Sequence, residues 1–236
     1  MKKTFQIKKT FSMGLAACMM LSAFVMNVSA ADSTSKSMQN IRLSYQNVID
    51  EVNELYGLNY WLPSDQELAA SGLSNPTLEE LSSKVTIEEF RASLIEIAEA
   101  AAETEAIANE QAMLSHENAS SPLGEFEVAA PRANPGDDYK ILTRKVVGAE
   151  ATLSAWASFG SYWHWTTIPT ITTRKLDEAE HRFVGNDEKH KATLVDSGRT
   201  YAVTLVGTMY DLSAGIFWIP RDATQYVDFW AGSKSN

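Results

Sequence analysis

Residues 191–210 read KATLVDSGRTYAVTLVGTMY and decide the fold of the C-terminal half. After the turn, apolar side chains alternate with others, at Tyr201, Val203, Leu205, Gly207 and Met209. A period of two is typical of a β-strand with one buried face. The tetrapeptide Asp196-Ser197-Gly198-Arg199 has the composition of a tight turn. The stretch therefore predicts a β-hairpin of residues 191–195 and 200–210.

The same period recurs on both sides of this hairpin. Upstream, the alternating positions are Ala151, Leu153, Ala155, Ala157 and Phe159. Further strand candidates are residues 141–147, 168–175, 215–219 and 225–230. About seven short strands in residues 139–236 predict an antiparallel β-sandwich or a small barrel.

The N-terminal half has a helical period instead. Apolar residues at spacings of three and four share one helix face: Ile41, Tyr45, Val48, Val52 and Leu55. Capping-box pairs Ser64/Glu67, Thr77/Glu80 and Thr86/Glu89 predict three further helix starts. The last of these opens a long helix from Ile87 to about Ser115, with Phe90, Leu94, Ile97 and Ala101 on its apolar face.

A segment rich in Pro and Gly, residues 118–138, separates the halves and has the composition of a linker. The predicted organisation is a leader at 1–30, an acidic helical region at 31–117, this linker, and an all-β domain at 139–236. The predicted fold class is α+β with segregated halves.

Residues 1–30 have the layout of a secretory signal peptide. A lysine-rich start precedes an uncharged apolar run over residues 11–28, which ends at Val28-Ser29-Ala30. We expect cleavage between Ala30 and Ala31 and a secreted protein with no transmembrane segment after cleavage. Two alternatives remain: an uncleaved membrane anchor, or lipidation at Cys18, which Leu15-Ala16-Ala17 precedes as in a lipobox.

Charge and cysteine content exclude several classes of protein. The leader carries four Lys and no acid, so the rest of the chain has a net charge of −14, nearly all of it before residue 136. This charge excludes nucleic acid and anionic membrane surfaces as general partners. Without Cys18 the chain has no disulfide and no thiolate site, which fits export from a Gram-positive bacterium.

No motif indicates a specific chemistry. His181 and His190 flank an acidic loop and are the candidates for a base or a metal ligand, but their spacing matches no recognised zinc pattern. The acidic loops at 136–138 and 185–188 lack the ligand spacing of a calcium loop. Nucleotide-binding loops and a nucleophile elbow are missing as well. The sequence therefore predicts no cofactor, no metal and no catalytic residue.

Aromatic residues are the strongest feature that remains. All six Trp except Trp61 lie in the β half, with a dense cluster at Tyr162-Trp163-His164-Trp165. Trp156 falls on the otherwise polar face of its strand. On a strand, Trp163 and Trp165 share one face and oppose Tyr162 and His164, so one pair is core. The candidate ligand-binding residues are Trp156, Tyr162, Trp163 and Trp165; the alternative is that they fill the core or lie beneath the helices.

The chain resembles exported proteins of Gram-positive bacteria, without known activity, that join a helical N-terminal segment to a C-terminal β-domain. The matching features are Tyr56-Gly57, Leu62-Pro63-Ser64, residues 86–90 and residues 202–208. The resemblance implies export and this architecture, and no catalytic residues.

Three functions are consistent with these patterns. The first is a non-enzymatic interaction module for a cell-surface glycan or a surface protein, with the helical half as spacer, partner-binding arm or cover. The second is a secreted effector or bacteriocin-like β-domain behind a helical pro-region. The third is an extracellular hydrolase that uses His181 or His190.

Overall fold

The computed structural model describes residues 30–117, 136–176 and 178–235. Helices occupy the N-terminal half and antiparallel sheets the C-terminal half, which confirms the α+β class with segregated halves. The leader before Ala30, Cys18 and residues 118–135 of the predicted linker lie outside the described residues. Ala30 and Ala31 begin the first helix, and the first strand begins at Asp137, slightly before the predicted start of the β half at Tyr139.

Residues 30–117 contain four helices: α1 Ala30–Tyr56, α2 Asp65–Ala70, α3 Leu78–Lys84 and α4 Ile87–Glu117. All three predicted capping boxes are present; for example, the Glu89 N–H donates to Thr86 Oγ1 and the Thr86 N–H donates to Glu89 Oε2. The predicted face of α1 is right except at its end, since Leu55 is 64% exposed and Ile49 is fully buried. Beyond Ile49 the buried face turns toward Val52, so Leu55 points away from the core.

In residues 136–176 and 178–235, eight strands form two sheets that are not closed into a barrel. Sheet 1 contains β1 Asp137–Val146, β2 Ala149–Phe159, β3 Trp163–Trp165 and β4 Thr170–Lys175. Sheet 2 contains β5 His181–Gly185, β6 Lys191–Val195, β7 Thr200–Ser213 and β8 Phe217–Trp230. In sheet 1, β2 pairs with β1 on one side and with β3 and β4 on the other; in sheet 2, β7 pairs with β8 on one side and with β5 and β6 on the other. The predicted hairpin is confirmed as β6–β7.

The alternation in β2 and β7 produces one core between the sheets. Ala151, Leu153, Leu205 and Val203 are fully buried in it. Phe159, predicted to share this face, is 61% exposed because it ends β2 beyond the region that sheet 2 covers. Apart from Phe159, each residue of β2 lies opposite a β1 residue whose side chain is on the same face of the sheet.

A long two-stranded ribbon, β7 and β8, serves both halves of the protein. At one end its inward residues Val203 and Phe229 face sheet 1. At the other end, on the same face, Phe217 and Ile219 pack into the helical core against residues such as Phe90. The ribbon extends beyond the part that sheet 1 covers, and the helices cover the rest.

β8 is one continuous strand rather than the two predicted segments at 215–219 and 225–230. Pro220 directly follows the first of these segments and lies within β8. Its carbonyl accepts a hydrogen bond from the Trp61 N–H at 3.1 Å, so Pro220 directs its main chain away from β7. A proline on the outer side of an edge strand removes no ladder hydrogen bond.

The loops between the helices cover this edge of β8. Asn75 accepts from the Trp218 N–H at 2.7 Å and donates to its carbonyl at 2.8 Å, as a neighbouring strand would. Asn59 accepts from the Asp222 N–H. On the ribbon's other face, Tyr210 packs with Leu68 and Leu73. The helical half therefore holds the ribbon end on both faces and along one edge, which prevents strand addition there.

Within the described ranges, no helix has the length and the unbroken apolar character needed to cross a bilayer.

Candidate functional site

The outward side of sheet 1, here called the outer face, carries five cross-strand rows of side chains. The strand register places in these rows Asp137, Ser158 and His164; Tyr139 and Trp156; Ile141, Ser154 and Thr170; Thr143, Thr152 and Thr172; and Lys145, Glu150 and Arg174. Residues with the same parity along a strand lie on the same side of a sheet. From Trp156 to Glu150, the outer face thus runs from an aromatic pair, here called its aromatic end, through a hydroxyl-rich middle to a charged end.

The aromatic end is a preformed pair of rings. Tyr139 and Trp156 are direct cross-strand neighbours, with ring centroids 5.2 Å apart and planes tilted by 59°. Tyr139 is 51% exposed and Trp156 is half-buried. The main chain at Trp156 is held by Thr167 Oγ1, which accepts its N–H at 3.0 Å, and by the Thr166 N–H, which donates to its carbonyl at 2.9 Å. Such a fixed, partly exposed aromatic pair loses little entropy on binding a ligand.

The other three predicted ligand residues separate. Trp165 is 3% exposed in the core, where its Nε1–H donates to the Phe229 carbonyl. Trp163 is half-buried on the same face, with Lys140 Nζ 4.0 Å from the centroid of one of its rings. Tyr162 is 46% exposed beside the His164 ring. The predicted opposition of the two pairs is confirmed, and the Trp163/Trp165 pair is the one that faces inward.

The remainder of the outer face is polar but nearly neutral. Thr143 Oγ1 and Thr152 Oγ1 lie 3.3 Å apart across the strands, and Thr170 and Thr172 are exposed. Charges concentrate in the last row, where Arg174 pairs with Glu150. Hydroxyl groups both donate and accept, so this face presents hydrogen-bonding groups for an uncharged polar ligand.

A second concentration of functional groups lies on the inward face of the ribbon, between its two cores. Here called the ion cluster, it contains Tyr60, Glu105, His181, Asp211 and Arg221. Asp211 is 1% exposed and accepts from the Arg221 Nε–H at 2.9 Å and the Tyr60 hydroxyl at 3.1 Å. His181 Nδ1 lies 2.7 Å from the other Asp211 oxygen. Arg221 also donates to Glu105 of α4. The cluster thus joins both halves.

The ion cluster shifts the pKa of its members. Burial, supported by Asp211, raises the pKa of Tyr60 far above its usual range. The hydrogen bond to Asp211 raises the pKa of His181, and burial opposes part of that effect. Burial raises the pKa of Glu105, and the Arg221 guanidinium offsets part of that rise by lowering it. Burial works against the charge on Arg221, but the neighbouring acids outweigh it and raise its pKa.

His190 occupies a different place. Its Nδ1 accepts from the Val206 N–H at 3.1 Å, and its Nε2 lies 3.1 Å from Asp187 Oδ1, which also accepts from the Thr173 N–H. Burial lowers the pKa of His190. His181 pairs with Asp211, five residues along β7 from Val206, or about 17 Å at ~3.4 Å per residue. The two histidines therefore do not form one site, and His190 connects β4 to β7.

The two histidines predict opposite pH dependences of stability. His181 has a raised pKa when folded, so its contribution is complete below about pH 6.5 and is lost as pH rises through the folded pKa. We expect the stability advantage of the wild type over His181→Gln to be larger near pH ~5.5 than near pH ~8.5, by urea unfolding.

The His190→Gln variant is the control for this measurement. Because the pKa of His190 is lowered in the folded protein, its contribution to stability is complete above about pH 6.5 and falls at lower pH. The stability advantage of the wild type over His190→Gln should therefore be larger at high pH than at low pH. The same sign of pH dependence in both variants would contradict the assignment of His181 to the Asp211 carboxylate.

The sequence patterns did not predict three residues of these sites: Tyr139, Asp211 and Arg221. Asp211 and Arg221 follow the inward parity of Met209 and Ile219, so charged residues at apolar positions were the available signal. Tyr139 precedes the first strand candidate, and only the register with β2 makes it a neighbour of Trp156.

In comparisons with protein-family models, curated proteins and solved structures, no significant match to this chain was found. Among the described residues, no group of three or more His, Cys, Asp or Glu side chains is arranged to hold a metal ion.

Proposed function

We propose that this chain is an exported, non-enzymatic interaction protein whose outer face binds a cell-surface glycan. The observation that carries the proposal is the Tyr139–Trp156 ring pair next to rows of hydroxyl side chains. Aromatic rings stack on the apolar faces of sugars, and hydroxyls exchange hydrogen bonds with the sugar hydroxyls.

Charge and access support a neutral glycan. The helical half is strongly acidic, so a polyanionic polymer would be repelled. The helices pack against the ribbon and β6, and the exposed residues Tyr139, Ile141 and Thr170 remain open to solvent in the described structure. The leader described above supports export to the compartment where such a glycan occurs.

The Trp156→Ala variant tests this proposal. A central aromatic at a binding surface contributes about 2 kcal/mol or more, so we expect affinity for a bound glycan to fall about 30-fold. Chitohexaose, cellohexaose and xylohexaose serve as probes, with isothermal titration calorimetry and Trp fluorescence as the measurements. The Tyr139→Ala variant should also bind the same glycan with lower affinity than the wild type does.

Trp230→Ala is the matched control, since Trp230 is 54% exposed but belongs to sheet 2. The Trp230→Ala variant should bind the glycan with the same affinity as the wild type. Equal losses in Trp156→Ala and Trp230→Ala, or no binding of any neutral oligosaccharide or insoluble polysaccharide to the wild type, would exclude the outer face as a glycan site.

A further inference from the structure

A cavity lies beside the ion cluster, along the line where α4 and the β1–β2 turn meet over the ribbon; this line is here called the seam. The cavity has a volume of about 210 Å³. Ile97, Ala100 and Ala101 of α4 form one wall, and Met209 and Ala223 of the ribbon lie opposite. The ion cluster supplies the polar end of the cavity through Glu105, His181, Asp211 and Arg221. The cavity is therefore apolar on one side and polar at one end.

Its size limits the ligand to a small molecule. A protein cavity of about 150 Å³ holds benzene, so the seam cavity admits a single ring with one or two substituents, or a short branched chain. A larger hollow of about 460 Å³ shares Glu105, Ala223 and Thr224 with it and opens to solvent. The hollow and the cavity therefore adjoin at these three residues.

Charge limits the ligand further. Asp211 and Glu105 are both paired with Arg221, and Asp211 also with His181, so the charges that line the cavity balance when His181 is protonated. An added ion would meet no unbalanced counter-charge and would lose its hydration, which costs several kcal/mol or more. An uncharged ligand avoids this cost.

One polar group is placed to orient a ligand. His181 uses Nδ1 for Asp211, its ring lines the cavity, and its side chain is 38% exposed. Because Asp211 holds Nδ1, the opposite ring nitrogen, Nε2, remains to exchange a hydrogen bond with the ligand. A hydroxyl or amide group can either donate to this nitrogen or accept from it.

We infer that the seam cavity binds a small uncharged molecule with an apolar body and one hydroxyl or amide group, such as a phenol or an aryl alcohol. The apolar body lies between α4 and the ribbon, and the polar group meets His181. Because the walls come from both halves of the chain, the bound molecule stabilises their contact, and the melting temperature rises with the logarithm of its concentration once that concentration exceeds Kd.

The test uses the full chain with p-cresol and benzyl alcohol as probes, and with benzoate and benzylamine as charged analogues of similar size. Calorimetry, thermal shift and NMR of the histidine rings are the measurements. We expect saturable binding of the neutral probes, a higher melting temperature, and shifts of the His181 ring signals without shifts at His190. The charged analogues should bind at least roughly tenfold more weakly.

The Ala100→Leu variant fills the cavity from α4, and Ala106→Leu is the matched control on an exposed position of the same helix. Ala100 is itself exposed, so the variant should fold, and neutral-probe affinity should fall roughly tenfold or more only in Ala100→Leu. Three results would overturn the inference: no saturable binding up to the solubility limit, equal affinity in both variants, or benzoate binding as tightly as p-cresol.

Discussion

The Arg221→Met variant should lose about 3–5 kcal/mol of folding free energy, because it leaves Asp211 buried without the guanidinium that neutralises it. Asp211 is 1% exposed, and Arg221 is also the partner of Glu105 on α4. Methionine keeps much of the length of the side chain, so the loss reports on charge rather than on volume. Urea unfolding of the full chain measures it.

Arg174→Met is the matched control. Arg174 also pairs with a carboxylate, Glu150, but its side chain is 73% exposed. A solvent-exposed pair contributes at most about 1 kcal/mol. Adding Asp211→Asn to Arg221→Met should restore part of the stability, since the buried charge is then removed. Similar losses in Arg221→Met and Arg174→Met would show that the ion cluster is not a stabilising junction.

The second large effect is expected from separating the halves. A fragment of residues 136–236 should fail to form a stable monomer, because it exposes Tyr210, Phe217, Trp218 and Ile219 of the ribbon. Burial of a large apolar side chain contributes about 1.5–3 kcal/mol, so four of them approach the total stability of a typical domain, about 5–15 kcal/mol. The main-chain groups of β8 that Asn75 covers become accessible as well.

Size-exclusion chromatography, dye binding and near-ultraviolet circular dichroism measure this effect. The control is the full chain cut at an engineered protease site within residues 118–135, which keeps both pieces. We expect the cut protein to stay associated and folded, whereas the isolated fragment aggregates. A monomeric fragment with native near-ultraviolet signals and cooperative unfolding would support a helical pro-region instead, since the β half would then be independent of the helices.

Local patterns predicted most of the individual elements. The capping pair Thr86/Glu89 depends on residues within one helical turn of each other, and it is present in the structure. The alternation around Leu153 and Leu205 likewise determines which side of each strand is buried. Local patterns do not predict the continuity of β8 through Pro220, because the effect of a proline on a strand depends on which side of the strand its main chain faces.

The candidate sites depended on pairing between distant segments. Trp156 could be identified as an aromatic residue on a polar strand face, but its partner Tyr139 follows from the register of β1 and β2. Trp165 was a candidate because of the dense cluster at 162–165, and it lies in the core, which was the alternative left open for that cluster. No local pattern distinguishes an exposed aromatic from a buried one when both occur on short strands.

The sequence by itself determined the two halves, their helices and strands, and the inward side of most strands, because these follow from steric preferences and polarity over a few neighbouring residues. Tertiary structure alone decided that the ribbon serves both cores and that Tyr60, Glu105 and His181 meet Asp211 and Arg221. Tyr60 and Arg221 are distant in the sequence, so no periodic pattern predicts their contact. A buried charge is stable only where the tertiary packing brings its partners to it.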